Sequence, residues 1–234
     1  MANIVTRSTH LCERRLSDAQ YDCDAWSRYP HHRWLFNKLD LSLKLGYNAG
    51  PGGTSVPVNG DYIVRPIMNL SGMGVGASRV HLSRDDYKTV PPGYFWCEYF
   101  QGPHMTIDYE WQLVDGQTIL RPIFAAQGYR TDKELYRFNA WKQKTPPLYH
   151  LPYWIQELSN VPRFNVEFIN GQITEIHLRT NPNFPPNSTD IIPRWSDMTD
   201  DECEIFERLG FQYQTAFEDA DGHLEIKRLG FYYK

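Results

Sequence analysis

The residues best suited to chemistry lie between Asp61 and Ala77, where a cationic side chain is followed at once by a glycine-rich loop. Tyr-Ile-Val at 62–64 favours a β-strand, and Pro66 cannot continue a central strand, so Arg65 is predicted at the strand end. A guanidinium group fixed in this way can bind phosphate or carboxylate through charge-assisted hydrogen bonds. The segment therefore predicts an anion-binding position at the end of a strand.

The loop that follows has the composition of a phosphate-binding loop. It contains Ser71 and three glycines at alternate positions, Gly72, Gly74 and Gly76. Glycine adopts positive φ and lets the backbone approach a ligand closely, and exposed backbone N–H groups attract anions. The alternative is a glycine-rich turn beside a surface arginine, and this segment alone leaves both interpretations open.

A second group of polar residues is predicted on a hairpin. Asn170-Gly171 favours a type I′ turn between strands predicted at 163–169 and 173–179. Because residues two apart on a strand share a face, four polar side chains line one face of the second strand and its continuation. These residues are Glu175, His177, Arg179 and Asn181. Glu167 and Asn165 share a face of the first strand, so the hairpin is either a ligand site or a solvent-facing ribbon of mixed charge.

Composition limits what the chain can be. The 234 residues are 41% hydrophobic and 22% charged, which is typical of a globular protein with one large or two small domains. A net charge of −4 argues against a broad nucleic-acid-binding surface, and no apolar run approaches the roughly 20 residues of a membrane-spanning helix. The N-terminus lacks the apolar stretch of a signal peptide, so we expect a cytoplasmic protein.

Cysteine and aromatic residues narrow the chemistry further. The four cysteines form no Cys-x-x-Cys pair, which argues against a zinc knuckle or a redox motif. Aromatic residues make up 15% of the chain. That fraction is explained either by thick β-sheet packing or by rings that line a substrate cleft or stack on bases.

Local patterns predict the elements that must position these residues. Leucine spacing predicts a helix at 34–45, and a polar N-cap begins a second helix at 199–209. A helix is also predicted at 132–141, whereas four prolines between 181 and 193 predict a loop. Apolar runs predict further strands at 62–65, 80–82, 94–100, 105–113 and 118–124.

Five of these pieces stand in the order that they have in ATP-grasp ligases, so residues 34 to 184 resemble the nucleotide-binding half of that family. The family has a helix with a lysine, a Val-Lys-Pro strand, a glycine-rich lid loop, a Val-Glu-Glu-Phe-Ile strand and a metal-binding hairpin. The matching segments here are Asn37-Lys38 with Lys44, Tyr62–Pro66, Ser71–Ala77, Trp96–Gly102, and the hairpin pieces Phe164–Phe168 and Leu178–Pro182.

The resemblance implies an α+β fold in which two α+β subdomains, built on antiparallel sheets, clamp a nucleotide. It divides the chain into an N-terminal segment 1–33, an ATP-grasp-like core 34–193 and a C-terminal helix and strand at 194–234 packed on the core. A lid subdomain is expected at about 61–100. The family's usual N-terminal substrate domain would be missing or reduced, as in compact ATP-grasp-like proteins of tailed phages, which act in the host cytoplasm.

The resemblance also implies ATP and Mg²⁺ as cofactors and assigns a role to each matching residue. The nucleotide-binding residues would be Lys38, Lys44, Arg65, Ser71, Gly72, Gly74, Gly76, Glu98, Tyr99, Phe100 and Asp108. The metal ligands would be Glu167 and Asn181, with Glu175 as a further carboxylate. Arg65 and Arg179 would be the catalytic residues, because each would contact phosphate or a substrate carboxylate directly.

Three residues depart from the family pattern. Arg65 replaces a lysine, which keeps the charge but changes its geometry. His104 stands where the family often has a ribose-binding glutamate. Arg179 occupies the position of the usual metal-binding glutamate, where a cation cannot hold Mg²⁺.

The activity implied by the resemblance is ATP-dependent ligation of a carboxylate to an amine through an acyl phosphate, on a small-molecule or peptide substrate. One alternative is a non-catalytic nucleotide- or nucleic-acid-binding protein on a decayed ATP-grasp scaffold, which Arg179 favours. Another is a β-rich structural or carbohydrate-binding module. The ligase interpretation requires Arg65, Glu167, Asn181 and the 71–77 loop to converge on one cleft.

Overall fold

The chain forms two antiparallel β-sheets with short helices around them. The computed structural model describes residues 19, 21–70, 74–130, 135–185, 187–215 and 226–234. The smaller sheet has the strand order β1-β4-β2-β3. Its strands are β1 (Ala49–Pro51), β2 (Gly60–Pro66), β3 (Ser78–Leu82) and β4 (Tyr94–Glu98). The sheet therefore begins at Ala49, before the lid boundary expected near residue 61.

The larger sheet has eight strands in the order β11-β12-β10-β7-β6-β5-β8-β9. Its first five strands along the chain are β5 (His104–Val114), β6 (Gln117–Arg130), β7 (Phe138–Gln143), β8 (Arg163–Ile169) and β9 (Gln172–His177). The others are β10 (Asp190–Trp195), β11 (Gln212–Thr215) and β12 (Arg228–Tyr233). The C-terminal strands thus extend the large sheet, and the whole fold is α+β as expected.

Helices cover the edges of these sheets. The α-helices are α1 (Asp22–Arg28), α2 (Lys38–Lys44) and α3 (Asp200–Arg208), and the 3₁₀ helices are Pro30–Phe36, Arg84–Lys88 and Tyr153–Asn160. The main core lies between the large sheet and the N-terminal helices, and it includes Leu35, Ile107 and Phe164. Among the described residues, no helix combines the length and the apolar character needed to cross a membrane.

Strand alternation decides which side chains face the gap between the sheets. In β2, Tyr62 and Val64 pack into the core of the small sheet, so Ile63 and Arg65 point to the opposite face. In β8, Phe164 belongs to the main core, whereas Asn165 and Glu167 line the gap. Arg65 of β2 and the polar face predicted for β8 therefore border the same gap.

The hairpin turn was predicted correctly. Asn170 and Gly171 both have positive φ, 51° and 78°, as a type I′ turn requires. The first strand, Arg163–Ile169, has the predicted bounds. The second, Gln172–His177, ends two residues earlier than predicted, so Arg179 follows the strand rather than lying within it.

The helix predicted at 34–45 is divided at Asn37. The Asn37 side chain accepts a hydrogen bond from the Asp40 backbone N–H at 3.1 Å, which makes it the N-cap of α2. The residues before it form the 3₁₀ helix Pro30–Phe36 instead. A residue that caps a helix has non-helical backbone angles, and for this reason the leucine spacing overestimated the length of the helix. The helix predicted at 199–209 is confirmed as α3, with Thr199 as its N-cap.

Two other local predictions were wrong. The described part of the helix predicted at 132–141 contains the start of β7, whose Trp141 pairs with Gly128 of β6 and with Ile191 of β10. The loop predicted at 181–193 contains the start of β10. Pro193 is tolerated there because only Asp190 and Ile191 of this strand pair with β7. Pairing with strands distant in the sequence therefore determined the conformation of both segments.

Candidate active site

A cleft with a volume of about 480 Å³ lies between the two sheets. The small sheet contributes Ile63 and Arg65 to its wall, and the hairpin β8–β9 contributes Glu167 and Glu175. Gly74, from the described part of the glycine-rich loop, lies at its edge. The cleft has an apolar end, a charged centre and an aromatic chamber.

The apolar end is built around the last residues of β4. Its walls are Tyr47, Ile63, Cys97, Tyr99, Phe100, Ile169 and Ile173. The rings of Tyr47 and Phe100 meet edge to face, with centroids 4.8 Å apart. Burial raises the pKa of Tyr47 to about 12 and that of Cys97 to about 11, so both side chains are neutral at pH 7. This end is suited to a flat, uncharged group such as a nucleobase.

Arg65 joins the two sheets at the charged centre. Its Nη1 lies 3.1 Å from Oε1 of Glu175, and its Nη2 donates to the backbone carbonyl of Thr174 at 3.0 Å. Lys38 Nζ approaches the same Glu175 oxygen at 2.6 Å from the other side. Glu175 on the edge strand β9 is therefore held by two cations from separate elements.

His177 lies among three carboxylates. Its Nδ1 is 2.9 Å from Oδ2 of Asp22, and its Nε2 is 3.5 Å from Oε2 of Glu175 and 3.7 Å from Oε1 of Glu167. Burial lowers the pKa of His177, but the Asp22 carboxylate outweighs burial and raises it to about 9. The ring is therefore protonated at pH 7.

One further ion pair and one hydrogen bond between a histidine and a carboxylate complete the centre. Arg179 Nη2 lies 3.0 Å from Oδ2 of Asp22, and His104 Nε2 lies 3.1 Å from Oε2 of Glu167. Burial opposes ionisation of Glu167, but its contacts with His104 and His177 hold its pKa well below the usual range. Burial also tends to raise the pKa of Asp22, but its contacts with His177 and Arg179 hold that pKa well below the usual range. The carboxylates of the centre are therefore ionised.

Most of the residues predicted for the site line this one cleft. They are Arg65, Gly74, Glu98, Tyr99, Phe100, Glu167, Glu175, Arg179 and Asn181. Lys38 lies behind Glu175, in a smaller adjoining cavity. Gly76 lies beside Pro66 and Tyr94, at φ +76°. Ser71 and Gly72 lie outside the described residues.

Two predicted nucleotide contacts lie elsewhere. Lys44 Nζ stands over the rings of Trp34 and Trp154, 4.1 and 4.8 Å from their centroids, because aromatic faces attract an ammonium group. Asp108 is only 6% exposed and lies behind the wall, where its Oδ1 accepts from Asn165 Nδ2 and from the Asn181 backbone N–H. Asp108 therefore orients the wall and does not itself line the cleft.

Three residues of the centre were not predicted as ligand-binding residues: Asp22, His104 and His177. His177 was identifiable from its position two residues after Glu175 on the polar face of the hairpin. Asp22 was not identifiable, because its partners lie 155 and 157 positions away in the sequence. Helix α1, which carries Asp22, contacts the 3₁₀ helix Pro30–Phe36 and is therefore part of the site.

The side chains of the centre do not fit Mg²⁺. Magnesium requires carboxylate oxygens and water in a near-octahedral arrangement. Glu167 already pairs with His104 and lies close to His177, and Glu175 pairs with Lys38 and Arg65. Within the part of the chain that the structure describes, no group of three His, Cys, Asp or Glu residues is arranged to hold a metal.

The aromatic chamber lies beyond the charged centre and is built by the large sheet. Its rings include Phe138, Trp141, Phe184 and Trp195. Phe138 and Trp141 pack against each other with centroids 4.3 Å apart, and both contact the ring of His104. The chamber thus adjoins the charged centre through His104.

Fold comparison assigns this architecture. No protein-family model and no curated protein sequence matches the chain. Solved structures do match, and the chain has the ATP-grasp fold, as the sequence resemblance implied. The matched structures named here give no support to a phage origin.

Three of these structures illustrate the likeness. An L-amino acid ligase from Bacillus licheniformis is 9% identical, with a TM-score of 0.52 over 84% of this chain and 64% of that protein. N5-carboxyaminoimidazole synthetase from Staphylococcus aureus, complexed with ADP, is 12% identical, with a TM-score of 0.55 over 85% and 67%. Carboxyaminoimidazole ribonucleotide synthase from Aspergillus clavatus, complexed with ATP, is 13% identical, with a TM-score of 0.51 over 86% and 68%. The chain thus spans about two thirds of these proteins.

Proposed function

We propose that this chain is an ATP-dependent ligase-like enzyme that joins a carboxylate to an amine through an acyl phosphate. The observation that carries the proposal is that the predicted phosphate-binding and metal-binding residues line the same cleft. Arg65, Glu167, Asn181 and Gly74 of the glycine-rich loop come from separate parts of the sequence, and all of them line one cleft. A glycine-rich turn beside a surface arginine would not require this convergence.

The cleft has separate regions for each part of the reaction. The apolar end beside Phe100 takes the adenine, and the strand end at Arg65 directs the phosphates toward the charged centre. The aromatic chamber beside His104 takes the substrate that carries the carboxylate. The ADP and ATP bound to two of the matched proteins support a nucleotide as the ligand of this fold.

The proposed reaction has two steps. A carboxylate oxygen of the substrate attacks the γ-phosphorus of ATP, and ADP leaves. The amine nitrogen then attacks the carbonyl carbon of the acyl phosphate, inorganic phosphate leaves, and the nitrogen loses a proton. The side chains contribute by orienting the reactants and by neutralising phosphate charge, which is the main protein contribution to phosphoryl transfer. Arg65 and Arg179 are the proposed contacts to the transferred group.

A second candidate is a nucleotide-binding protein without ligase activity. The observation that favours it is that the expected metal ligands, Glu167 and Glu175, already contact His104 and Lys38 of the chain itself. Nucleic acid is a less favoured ligand because the net charge is −4. In either case we propose a cytoplasmic protein, and the free thiols of Cys23, Cys97 and Cys203 are compatible with a reducing compartment.

Nucleotide binding is tested first, by calorimetric titration of ATP, ADP and AMP. We expect Phe100→Ala to weaken ADP binding about tenfold, or about 1.4 kcal/mol, through the lost ring contact. Tyr153→Ala is the control, because this side chain is 92% exposed and lies outside the cleft. Equal losses in both variants, or no binding by wild type, would refute the nucleotide site.

Catalysis is tested with amino acids labelled with ¹⁸O in the carboxylate, incubated with ATP and an amine. Transfer of the label to inorganic phosphate is the signature of an acyl phosphate. ADP release without label in the phosphate indicates hydrolysis by water. Binding of ATP with no ADP release for any amino acid in the panel supports the non-catalytic candidate.

A further inference from the structure

We infer that cationic side chains of this chain replace the divalent metal, so that the cleft binds a nucleotide polyphosphate without Mg²⁺. This inference rests on the proposed nucleotide-binding function and deepens it. It concerns His177 and Arg179 above all, since His177 ends the hairpin strand that would otherwise supply metal ligands and Arg179 lies two residues beyond it.

The position of His177 is the first argument. A divalent metal in this site would lie between Glu167 and Glu175, since these are the carboxylates on adjoining strands β8 and β9, where they pair directly. The Nε2 atom of His177 occupies that position, 3.7 Å from one carboxylate and 3.5 Å from the other. Its Nδ1 is held by Asp22 at 2.9 Å, which fixes the ring in place.

The charge of the centre is the second argument. Three cationic side chains, Lys38, Arg65 and Arg179, face the carboxylates of Asp22 and Glu175, and the imidazole of His177 lies among Asp22, Glu167 and Glu175. His104 adds a further nitrogen beside Glu167. A nucleotide phosphate would therefore meet guanidinium and imidazole N–H groups, which bind phosphate through short charge-assisted hydrogen bonds.

Unsatisfied hydrogen-bonding capacity is the third argument. Among the described residues, Nε of Arg65, Nε of Arg179 and Nδ1 of His104 are buried without a hydrogen-bond partner, and so is Oδ1 of Asp22. Both arginine atoms are donors. These arginines thus keep unsatisfied donors that would pair with an anion once the side chains turn toward the cleft, whereas Glu167 and Glu175 already have partners within the chain.

The test compares ATP binding to the wild-type chain in excess EDTA and in excess Mg²⁺, by calorimetry. We expect dissociation constants that agree within about threefold. A site that needs the metal would bind at least about tenfold more weakly in EDTA, and that result would overturn the inference while leaving the proposed function intact. This comparison needs no variant, so it decides the question even if variants of the buried centre do not fold.

Inorganic tripolyphosphate in EDTA separates the two proposals. If tripolyphosphate binds and ATP does not, the cationic centre is supported and the proposed nucleotide function is overturned. If neither binds in either buffer, both are overturned.

Two variants assign the effect to His177. His177→Gln removes the imidazole but keeps hydrogen-bonding atoms, and we expect it to weaken ATP binding in EDTA at least about tenfold. Mg²⁺ should restore part of this loss, because the position between Glu167 and Glu175 is no longer filled by the imidazole. Arg208→Gln is the control, since that side chain is 74% exposed on α3 and should bind ATP like wild type. Unchanged ATP binding by His177→Gln in EDTA would overturn the role of His177.

Discussion

Replacement of Arg65 by alanine tests whether the contacts of this side chain across the cleft stabilise the packing of the two sheets. Arg65 is the last charged residue of β2, and its guanidinium reaches the edge strand of the large sheet at Glu175 and Thr174. Its side chain is only 13% exposed, so these contacts are largely shielded from solvent. The substitution therefore removes a connection between the two sheets and the predicted phosphate contact together.

The size of the effect follows from these contacts. A hydrogen bond to a charged group contributes about 1.5–3 kcal/mol, and Arg65 makes two bonds in which it is the charged partner. Removing one partner of a buried pair costs about 3–5 kcal/mol when the other partner is left unpaired. Glu175 keeps Lys38 at 2.6 Å, so the loss should fall below that range. We expect the free energy of unfolding to decrease by about 1.5–3 kcal/mol.

The measurement is chemical denaturation followed by tryptophan fluorescence, with Arg208→Ala as the control. Arg208 also pairs with a carboxylate, but its partner Glu204 is one helical turn away and both are exposed, so a loss below about 1 kcal/mol is expected. Thermal unfolding with ATP then tests the phosphate contact, since Arg65→Ala should lose most of the stabilisation by the nucleotide. A loss equal to that of the control, together with an unchanged response to ATP, would refute this account of Arg65.

Three further predictions concern residues around the cleft. Burial raises the pKa of Asp108 from 3.8 to about 6, so the wild type loses stability as pH rises through this interval. Asp108→Asn does not titrate, so its free energy of unfolding relative to that of the wild type should rise by about 3 kcal/mol between pH 3 and pH 8 in denaturation experiments. A pH-independent difference would contradict this. Gly76→Ala and Gly46→Ala should each lower the free energy of unfolding by about 1–2 kcal/mol, because both glycines have positive φ. Gly76→Ala should be the more destabilising of the two, since its new Cβ would lie 3.0 Å from Pro66 and Tyr94, whereas no atom lies near the Cβ at position 46. Equal melting temperatures would contradict this. Lys44→Ala should leave ATP affinity within about twofold of wild type, and a larger loss would return Lys44 to the site.

The hairpin and Arg65 could be predicted from the sequence because their signals are local. The Asn170-Gly171 turn fixes the register of two adjacent strands, and alternation then determines which side chains share a face. Arg65 was placed at a strand end by another local signal, since the Pro66 that follows it cannot continue a central strand. These features involve residues within one hairpin or one strand, so no knowledge of the rest of the fold was needed.

Features that depend on distant partners were missed. Asp22 gave no local signal, and it becomes part of the site only through His177 and Arg179. Strand β7 was predicted as helix because its own sequence has no strong alternation, and its pairing with β6 and β10 decided its conformation. Lys44 lies over Trp34 and Trp154 instead of lining the cleft, and the ring of Trp154 lies far along the chain.

The ion pairs of the charged centre also bear on how the chain folds. They join residues that are 110, 155 and 157 positions apart, through Arg65–Glu175, Asp22–His177 and Asp22–Arg179. Contacts between such distant residues form only after most of the intervening chain has lost its conformational freedom, so we expect the centre to assemble late in folding. A nascent or partly folded chain would then have its hairpin and helices but no working anion site. In refolding experiments, recovery of ATP binding should therefore lag behind recovery of secondary structure.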